Sequence, residues 1–478
     1  MPPSRSSASL TTSEAAPSTI VVLGGGPAGA AAAKLLATWG HRVHLVTRPS
    51  GDRRLAVSIP PSCSKLFDVL GVSDAVERAG FIRSTGNTVW WGQAEVRVEM
   101  FADHQRGWQV NLERFEAVLL DEAVRAGTTV QRRVVSPHEP PSQGVTFVLD
   151  CTGRTGVLAR GRNLRRYPAG PRTIALAGEW LAAWWGLPDD SHTVIESYPD
   201  GWMWSVPLAR GVRHVCAMID PQRSDLARGR SSRDVYLAEI AKTRVFKAML
   251  VTASLASGPS GWDASTYHAD EYAGDGWLLA GDAGSFIDPL SSAGVKKALA
   301  SAWLAAVVVN TYVHTPAMRQ HALEFFSARE REIERHYTAE SLAFLTAAGR
   351  GLDRPFWSNR AADGDETTGD TAAIRDAFEQ LKTSAAFRMK VSERLRVEPR
   401  PLVEGREIKL AAHIIAPDSA VIRYLHGIDM VALLELAPGV SQVPDLFEAY
   451  ARRHTPPSLH DFLMAVSEAV ARGWLVAQ

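Results

Sequence analysis

In the stretch Trp277 to Leu299, WLLAGDAGSFIDPLSSAGVKKAL, a carboxylate and a helix start are set close together. The apolar run Trp277 to Ala280 ends in Gly281-Asp282, a turn-rich segment passes Pro289, and an Ala/Leu/Val helical pattern begins near Gly294. An Asp just past a buried strand accepts hydrogen bonds from hydroxyls, and the free amides of a helix start attract an anion. Hydroxyls at one end and an anionic group at the other describe a flavin's ribityl chain and its reduced ring. A turn closed by its own Asp would read the same way in isolation, so the upstream segments decide.

Upstream, TIVVLGGGPAGAAAAKLLATWGHRVHLVTR (19 to 48) supplies strand, Gly-rich turn, helix and second strand within one βαβ unit. Gly24 permits the tight turn, Gly26 lets the backbone approach a pyrophosphate, and Gly29 lets the helix pack on the strand. Pro27 and Ala28 lead into that helix, whose start faces the phosphates. The second strand should end in an acidic residue for the adenosine ribose, yet Thr47 stands there; its hydroxyl can still bond a ribose. Arg48 would suit a 2′-phosphate, or is a solvated surface charge. VTFVLDCTGRTG (145 to 156) is a second strand running into a Gly turn at Gly153, with Cys151 read as a small buried packing residue.

These segments need elements to hold them, and the chain is long enough to supply several. Its 478 residues imply two or three structural units. Lys plus Arg and Asp plus Glu both number 52, which gives no reason to expect nucleic acid or an anionic membrane as partner. Three cysteines, without CxxC spacing, exclude a disulfide framework and point to the cytoplasm. No apolar run approaches the ~18–20 residues that span a bilayer. His413, His426, His454 and His460 lack metal-ligand spacing, so no metal is expected.

GGGPAG at 24–29, DCTGR at 150–154 and GDAGSFIDP at 281–289 resemble, in order and spacing, the three FAD-contact segments of the aromatic-hydroxylase-like flavoproteins. The resemblance implies FAD as cofactor, with Gly24, Gly26, Gly29 and Gly153 at its dinucleotide half and Asp282 on the ribityl chain. GWMWSVP (201–207) further resembles the WxWxIP signature of flavin-dependent tryptophan halogenases, and FIDPLSSAG (286–294) their FxxPxxSxG signature. LAVSIPPSCSKLFDVLGV (55–72) looks like their GESxPP segment, with Ala56-Val57 in place of Gly-Glu. Together these imply that Pro289, Ser292, Ala293, Gly294 and Val295 lie under the flavin ring and that Trp202 and Trp204 border the substrate pocket.

The resemblance has departures. Halogenases of this kind use a lysine some way past the Pro of the GESxPP segment, and RAGFIRSTGNTVWWG (78 to 92) contains none; Gly86 and Asn87 fall where it should be. The chain therefore looks nearest to the halogenase-like monooxygenases that hydroxylate a protein-bound tryptophan during tryptophylquinone biogenesis. That branch implies hydroxylation of an indole or phenol, through a C4a-hydroperoxyflavin, of a small aromatic molecule or a peptide. The alternatives are a flavin-dependent halogenase, an isoprenoid double-bond reductase and a non-catalytic flavoprotein chaperone. With no second GxGxxG, reduced flavin would come from a partner flavin reductase, or NAD(P)H would bind in a surface groove.

The expected architecture is α/β, a Rossmann-like FAD-binding fold with an inserted antiparallel substrate-side sheet and a C-terminal helical module. Residues 1–17 read as a disordered tail. The FAD-binding domain takes 18–82, 113–169 and 273–350, and the Trp- and Val-rich strands of 83–112 and 170–272 form the sheet. Glu196 and Asp200, near the Trp motif, read as surface residues. Leu112 stands where the family often has Arg, with Arg114 as a possible substitute or a solvated helix charge. A linker or mobile loop follows at 351–373, and three helical patterns within 374–478 resemble the winged-helix modules that recognise leader peptides.

Overall fold

The computed structural model describes residues 18–49, 51, 55–92, 95–137, 144–352, 354–360, 374–379, 381, 389–417 and 420–477. The tail at 1–17 and most of the expected linker, 361–373, lie outside the described residues. The chain divides into two units, Met1–Ala362 and Asp363–Gln478.

In the first unit, a six-stranded sheet runs in the order Ala273–Gly274, Trp277–Leu279, Phe147–Asp150, Thr19–Leu23, Arg42–Thr47, Thr129–Arg132. All neighbours are parallel except the edge hairpin formed by the first two. The first helix, Pro27–Thr38, packs between this sheet and the helices Leu112–Arg125 and Gly294–His314, so that Ala30, Ala31, Ala32 and Ala33, pointing all round it, are each at most 1% exposed. Small side chains permit that close approach, and two glycines make it possible. A Cβ on Gly29 would fall 1.9 Å from the Gly24 carbonyl oxygen. Gly24 has φ 101° and would strike the Cys151 carbonyl at 2.2 Å. The same contact binds the GGGPAG turn to the DCTGR turn.

A seven-stranded sheet, in the order Ser254–Asp263, Ile174–Leu181, Val212–Ile219, Gly201–Ala209, Thr193–Tyr198, Gly86–Trp90, Arg97–Met100, stands beside it. Alternation along its strands divides two cores. One face buries Trp180, Val194, Met203, Val215 and Ala217 with Phe246 and Tyr236 of the helices behind. The other buries Trp91, Trp202, Cys216 and Met218 with Trp357 and Phe356, and Leu290 of the FIDPLSSAG loop packs against it. Two expectations change here. Ile82–Ser84 and Gly107–Asn111 do not join this sheet; Gly107–Asn111 is the centre of a separate three-stranded sheet, antiparallel to Ala56–Ile59 on one side and to Ile82–Ser84 on the other. Pro355–Ser358, expected within a linker, is a helical turn whose Trp357 is fully buried and donates to the Tyr198 carbonyl at 2.9 Å.

The second unit has its own core, in which Leu433, Leu446, Phe462 and Trp474 meet. Helices Met430–Leu436, Val443–Ala451 and Leu459–Ala471 realise the three helical patterns. The unit is not purely helical: Arg396–Glu404 and Glu407–Ile415 form a long hairpin, and Met389–Val391 pairs with Leu475–Ala477. Pro399 and Pro401 lie on the strand Arg396–Glu404, which pairs on one side only, an edge position where a missing N–H is tolerated.

Candidate functional site

Strand Trp277–Leu279 is buried on every residue and delivers Gly281-Asp282 to the carboxyl end of the parallel sheet. Ligands of open parallel sheets sit at that end. Gly281 lies against the first helix, since a Cβ on it would come 3.1 Å from the Ala28 side chain. The three glycine-bearing segments, distant in sequence, thus meet in one place.

The fold keeps this place open. A Cβ on Gly26 would find only Glu116 Oε1, at 3.4 Å, and one on Gly153 or Gly294 would find nothing within 4 Å. Pro27–Thr38 and Gly294–His314 both start without a side-chain cap, whereas Asn111, Ser231 and Ser458 cap the helices that follow them. Two uncapped helix starts flanking a carboxylate suit a ligand with phosphates, hydroxyls and an anionic ring, so the residues fit FAD. Pro27 occupies the first turn of one helix. Ala293 is the N-cap residue and Gly294 and Val295 the first turn of the other, entered from the turn Pro289–Ser291 through Ser292 in the left-handed region at φ 51°.

Asp282 keeps 31% of its side-chain surface and faces this cleft. Burial by the surrounding atoms raises its carboxyl pKa, while Lys297, Arg154 and Arg165 act to lower it. Lys297 is 1% exposed and donates to the Gly281 carbonyl at 3.0 Å and the Ser285 carbonyl at 2.6 Å, with Asp282 Oδ1 at 3.7 Å. Ser301, one turn on, receives Gly281 N–H at 2.9 Å. Glu330, fully buried on helix Arg319–Gly349, has no partner at hydrogen-bond geometry among the described residues, and its carboxyl is raised by burial and countered by Lys297 and then Ser301. Tyr267 donates to the Asp282 carbonyl at 2.6 Å, with Arg165 3.9 Å over its ring and Arg154 4.1 Å over Phe286. The loop is clamped from both sides.

Sequence reasoning missed Lys297, and a signal was present: two cations at a helix N-terminus oppose the helix dipole, so one of them needs a compensating partner. Thr47 accepts from Gly25 N–H at 3.1 Å and so closes the glycine turn. Arg114 stands away from the glycine turn: it bonds the Ala79 carbonyl and lies 5.1 Å over Phe81. Glu196, expected at the surface, is buried and accepts from the amides of Arg244, Val245 and Phe246 at 2.7–3.0 Å. It caps a helix start. Asp200 is half exposed and pairs with Lys242 at 2.8 Å. Cys151 is buried and its thiol pushed well up, so it is no nucleophile.

Trp202 is 3% exposed and packs edge-on to Trp91 at 6.2 Å. Trp204, on the same face, is only half-buried; its indole nitrogen has no partner at hydrogen-bond geometry among the described residues, though it acts on the Cys216 thiol, and its ring lies 5.6 Å from His214. His214 is fully buried, unbonded at both ring nitrogens, and its pKa is lowered to about 4 by burial, so it is neutral. No group of His, Cys, Asp and Glu among the described residues could hold a metal ion.

Residues 18–157 match the family described as FAD binding domain. The chain is 29% identical over 321 residues to a tryptophan 2-halogenase of Chondromyces crocatus, covering 62% of this chain and 61% of that protein. It is 28% identical to the flavin-dependent halogenase armH3 of Armillaria mellea, covering 64% and 69%. Its fold matches that of CmlS, a flavin-dependent halogenase, with a TM-score of 0.80 at 20% identity over 96% of each chain. It also matches QhpG, a peptidyl tryptophan dihydroxylase essential for tryptophylquinone cofactor biogenesis, with a TM-score of 0.66 at 22% identity over 96% of this chain and all of that one.

Proposed function

We propose that this chain, a member of the halogenase-like FAD monooxygenase family, hydroxylates an uncharged aromatic ring, an indole or phenol, and that a peptide-bound tryptophan is a substrate of this kind. The observation that carries hydroxylation is the distribution of lysine: none occurs between Lys65 and Lys242, so none stands on the strand Gly86–Trp90. Lys297, beside Asp282, is engaged by two carbonyls. A relay of hypohalous acid needs a free ammonium facing the substrate.

In this reading Asp282 takes the ribityl hydroxyls, Gly24, Gly26, Pro27, Ala28, Gly29, Thr47 and Gly153 hold the dinucleotide half, and Pro289 and Ser292–Val295 lie under the ring. Bound and reduced, FAD supplies oxygen activation; the protein's own residues orient the substrate and exclude water. Trp204 offers a ring face for stacking, and the neutral His214 beside it leaves that wall without charge, which suits an uncharged ring. Electrons come from a partner flavin reductase or from NAD(P)H. In this reading the unit 363–478 holds the peptide, a role that comes from the likeness to the peptidyl tryptophan dihydroxylase; the match to CmlS covers the same share of the chain.

A second reading, halogenation, is favoured by the curated relatives and by Lys296, whose half-buried ammonium has no partner among the described residues. Both readings are tested by incubating the protein with FAD, a reductase, oxygen, bromide and a tryptophan-containing peptide, followed by mass spectrometry. Gain of oxygen is expected with or without bromide. A brominated product that disappears in Lys296→Gln would replace hydroxylation with halogenation.

A further inference from the structure

The second strand of a dinucleotide fold ordinarily ends in a carboxylate that accepts from the adenosine ribose hydroxyls. Here the strand ends in Thr47, whose oxygen already accepts from Gly25 N–H at 3.1 Å. A vicinal diol brings two donors to this place, and the Thr47 oxygen has one lone pair left, so a second acceptor is needed from elsewhere.

The helix Leu112–Arg125 packs against the first helix and points one carboxylate at the glycine turn. Apart from its chain neighbours, Glu116 Oε1 is the only atom of the described residues within 4 Å of the position a Cβ on Gly26 would take. Glu116 makes no hydrogen bond or ion pair among the described residues. Its electrostatic neighbours are Arg48, at the end of the second strand, and Glu113, one turn earlier on its own helix. A carboxylate between Gly26 and Arg48 stands where the sugar lies in this fold. Burial without a partner raises its pKa to about 7, as for a group whose partner arrives with the ligand.

We propose that Glu116, reaching across from the helix at 112–125, replaces the strand-end carboxylate and accepts hydrogen bonds from the adenosine ribose hydroxyls of the bound dinucleotide. The proposal rests on FAD as the cofactor, and it assigns the adenosine half to a residue 69 positions beyond Thr47 in sequence. Glu116 acts on binding alone and takes no part in oxygen chemistry.

The test is calorimetric titration of the flavin-free protein and of Glu116→Gln with ADP, 2′,3′-dideoxy-ADP, riboflavin and FAD. Glu116→Gln should bind ADP and FAD about tenfold or more weakly at pH 8, the range for a hydrogen bond to a charged group, with riboflavin binding unchanged. The unaltered protein should lose a similar factor when ADP is replaced by the dideoxy analogue, and the variant should no longer distinguish the two. Equal or tighter ADP binding by Glu116→Gln would overturn the proposal, because the carboxylate would then face phosphate or solvent. So would an unaltered protein that binds ADP and the dideoxy analogue equally. If the unaltered protein binds FAD but fails these comparisons, the cofactor reading survives and the Glu116 assignment falls; if it binds neither ADP nor FAD, both fall.

Discussion

The two ends of the dinucleotide cleft handle charge in opposite ways. At Asp282 the charges are compensated within the protein: Lys297 lies between two carbonyls and Asp282, with buried Glu330 in its field and Arg154 and Arg165 on the other side. At Gly26 the carboxylate of Glu116 makes no hydrogen bond or ion pair among the described residues, with Arg48 the one cation in its field there. Lys297 at the first end is therefore bound up chiefly with the stability of the fold, and Glu116 at the second chiefly with occupancy. The difference teaches that burial alone does not separate a structural charge from a binding one; the presence of an internal partner does.

The largest effect should follow Lys297→Met. It leaves two carbonyls, the buried Glu330 carboxyl and the partly exposed Asp282 carboxyl without their cation, and breaking such a set costs about 3–5 kcal/mol. Urea denaturation of the flavin-free variant should show that loss, and an unchanged midpoint would dissolve the contrast between the two ends.

Next comes Asp282→Ala. Charge-assisted hydrogen bonds to the ribityl hydroxyls are worth about 1.5–3 kcal/mol each, so FAD should separate from the variant on gel filtration. A protein that stays yellow would place the ribityl chain elsewhere.

The smallest effect sharpens the comparison most. Because the Glu116 carboxyl is raised from 4.5 to about 7 in the fold, the folded chain holds its proton more tightly than the unfolded chain between those values. Its contribution to stability therefore falls as pH rises through that window and stays low above it. Glu116→Gln should accordingly make the flavin-free protein slightly more stable at pH 8, by on the order of 1 kcal/mol after solvent screening, and indifferent at pH 4. ADP affinity of the unaltered protein should run the other way, strengthening as pH rises through about 7, and that slope should be absent in the variant. Thermal melts from pH 4 to 8 and titrations from pH 6 to 8 would show both; a stability gain at pH 4 equal to that at pH 8 would remove the titration from the account.

The acid side gives an independent check on the substrate-side sheet. His214 is buried with its pKa lowered from 6.5 to about 4, so its stabilising neutrality is complete above 6.5 and lost as pH falls toward 4. About 3 kcal/mol is at stake across that interval by the pKa conversion. His214→Phe should flatten the acid limb of the melting curve, and an unchanged limb would show that other groups carry it.

Much of the dinucleotide half was legible because its requirements are local. GGGPAG following an apolar strand and opening an Ala-rich helix can be read from neighbouring residues alone, as can the strand, turn and helix of 277 to 299. Gly24 at φ 101° is a demand of its own backbone. The inserted sheet was legible only in outline. Its strands alternate as expected, but which of them pair is a matter of register between distant segments, so Gly107–Asn111 went to Ala56–Ile59 instead. Pro355–Ser358 looked like linker because its surroundings are polar, yet Trp357 finds its core with Trp91 at 5.4 Å, across more than half the chain.

The sequence by itself determined where the backbone must turn tightly, where helix starts lie bare, and which carboxylate ends the third glycine-bearing segment, because those features follow from sterics and hydrogen bonding within a few residues. Only the tertiary structure decided which charges are partnered. Lys297 enters the field of Glu330 and Glu116 meets Gly26 through the packing of helices far apart in sequence, and the electrostatic role of a side chain depends on the charges and polar groups around it.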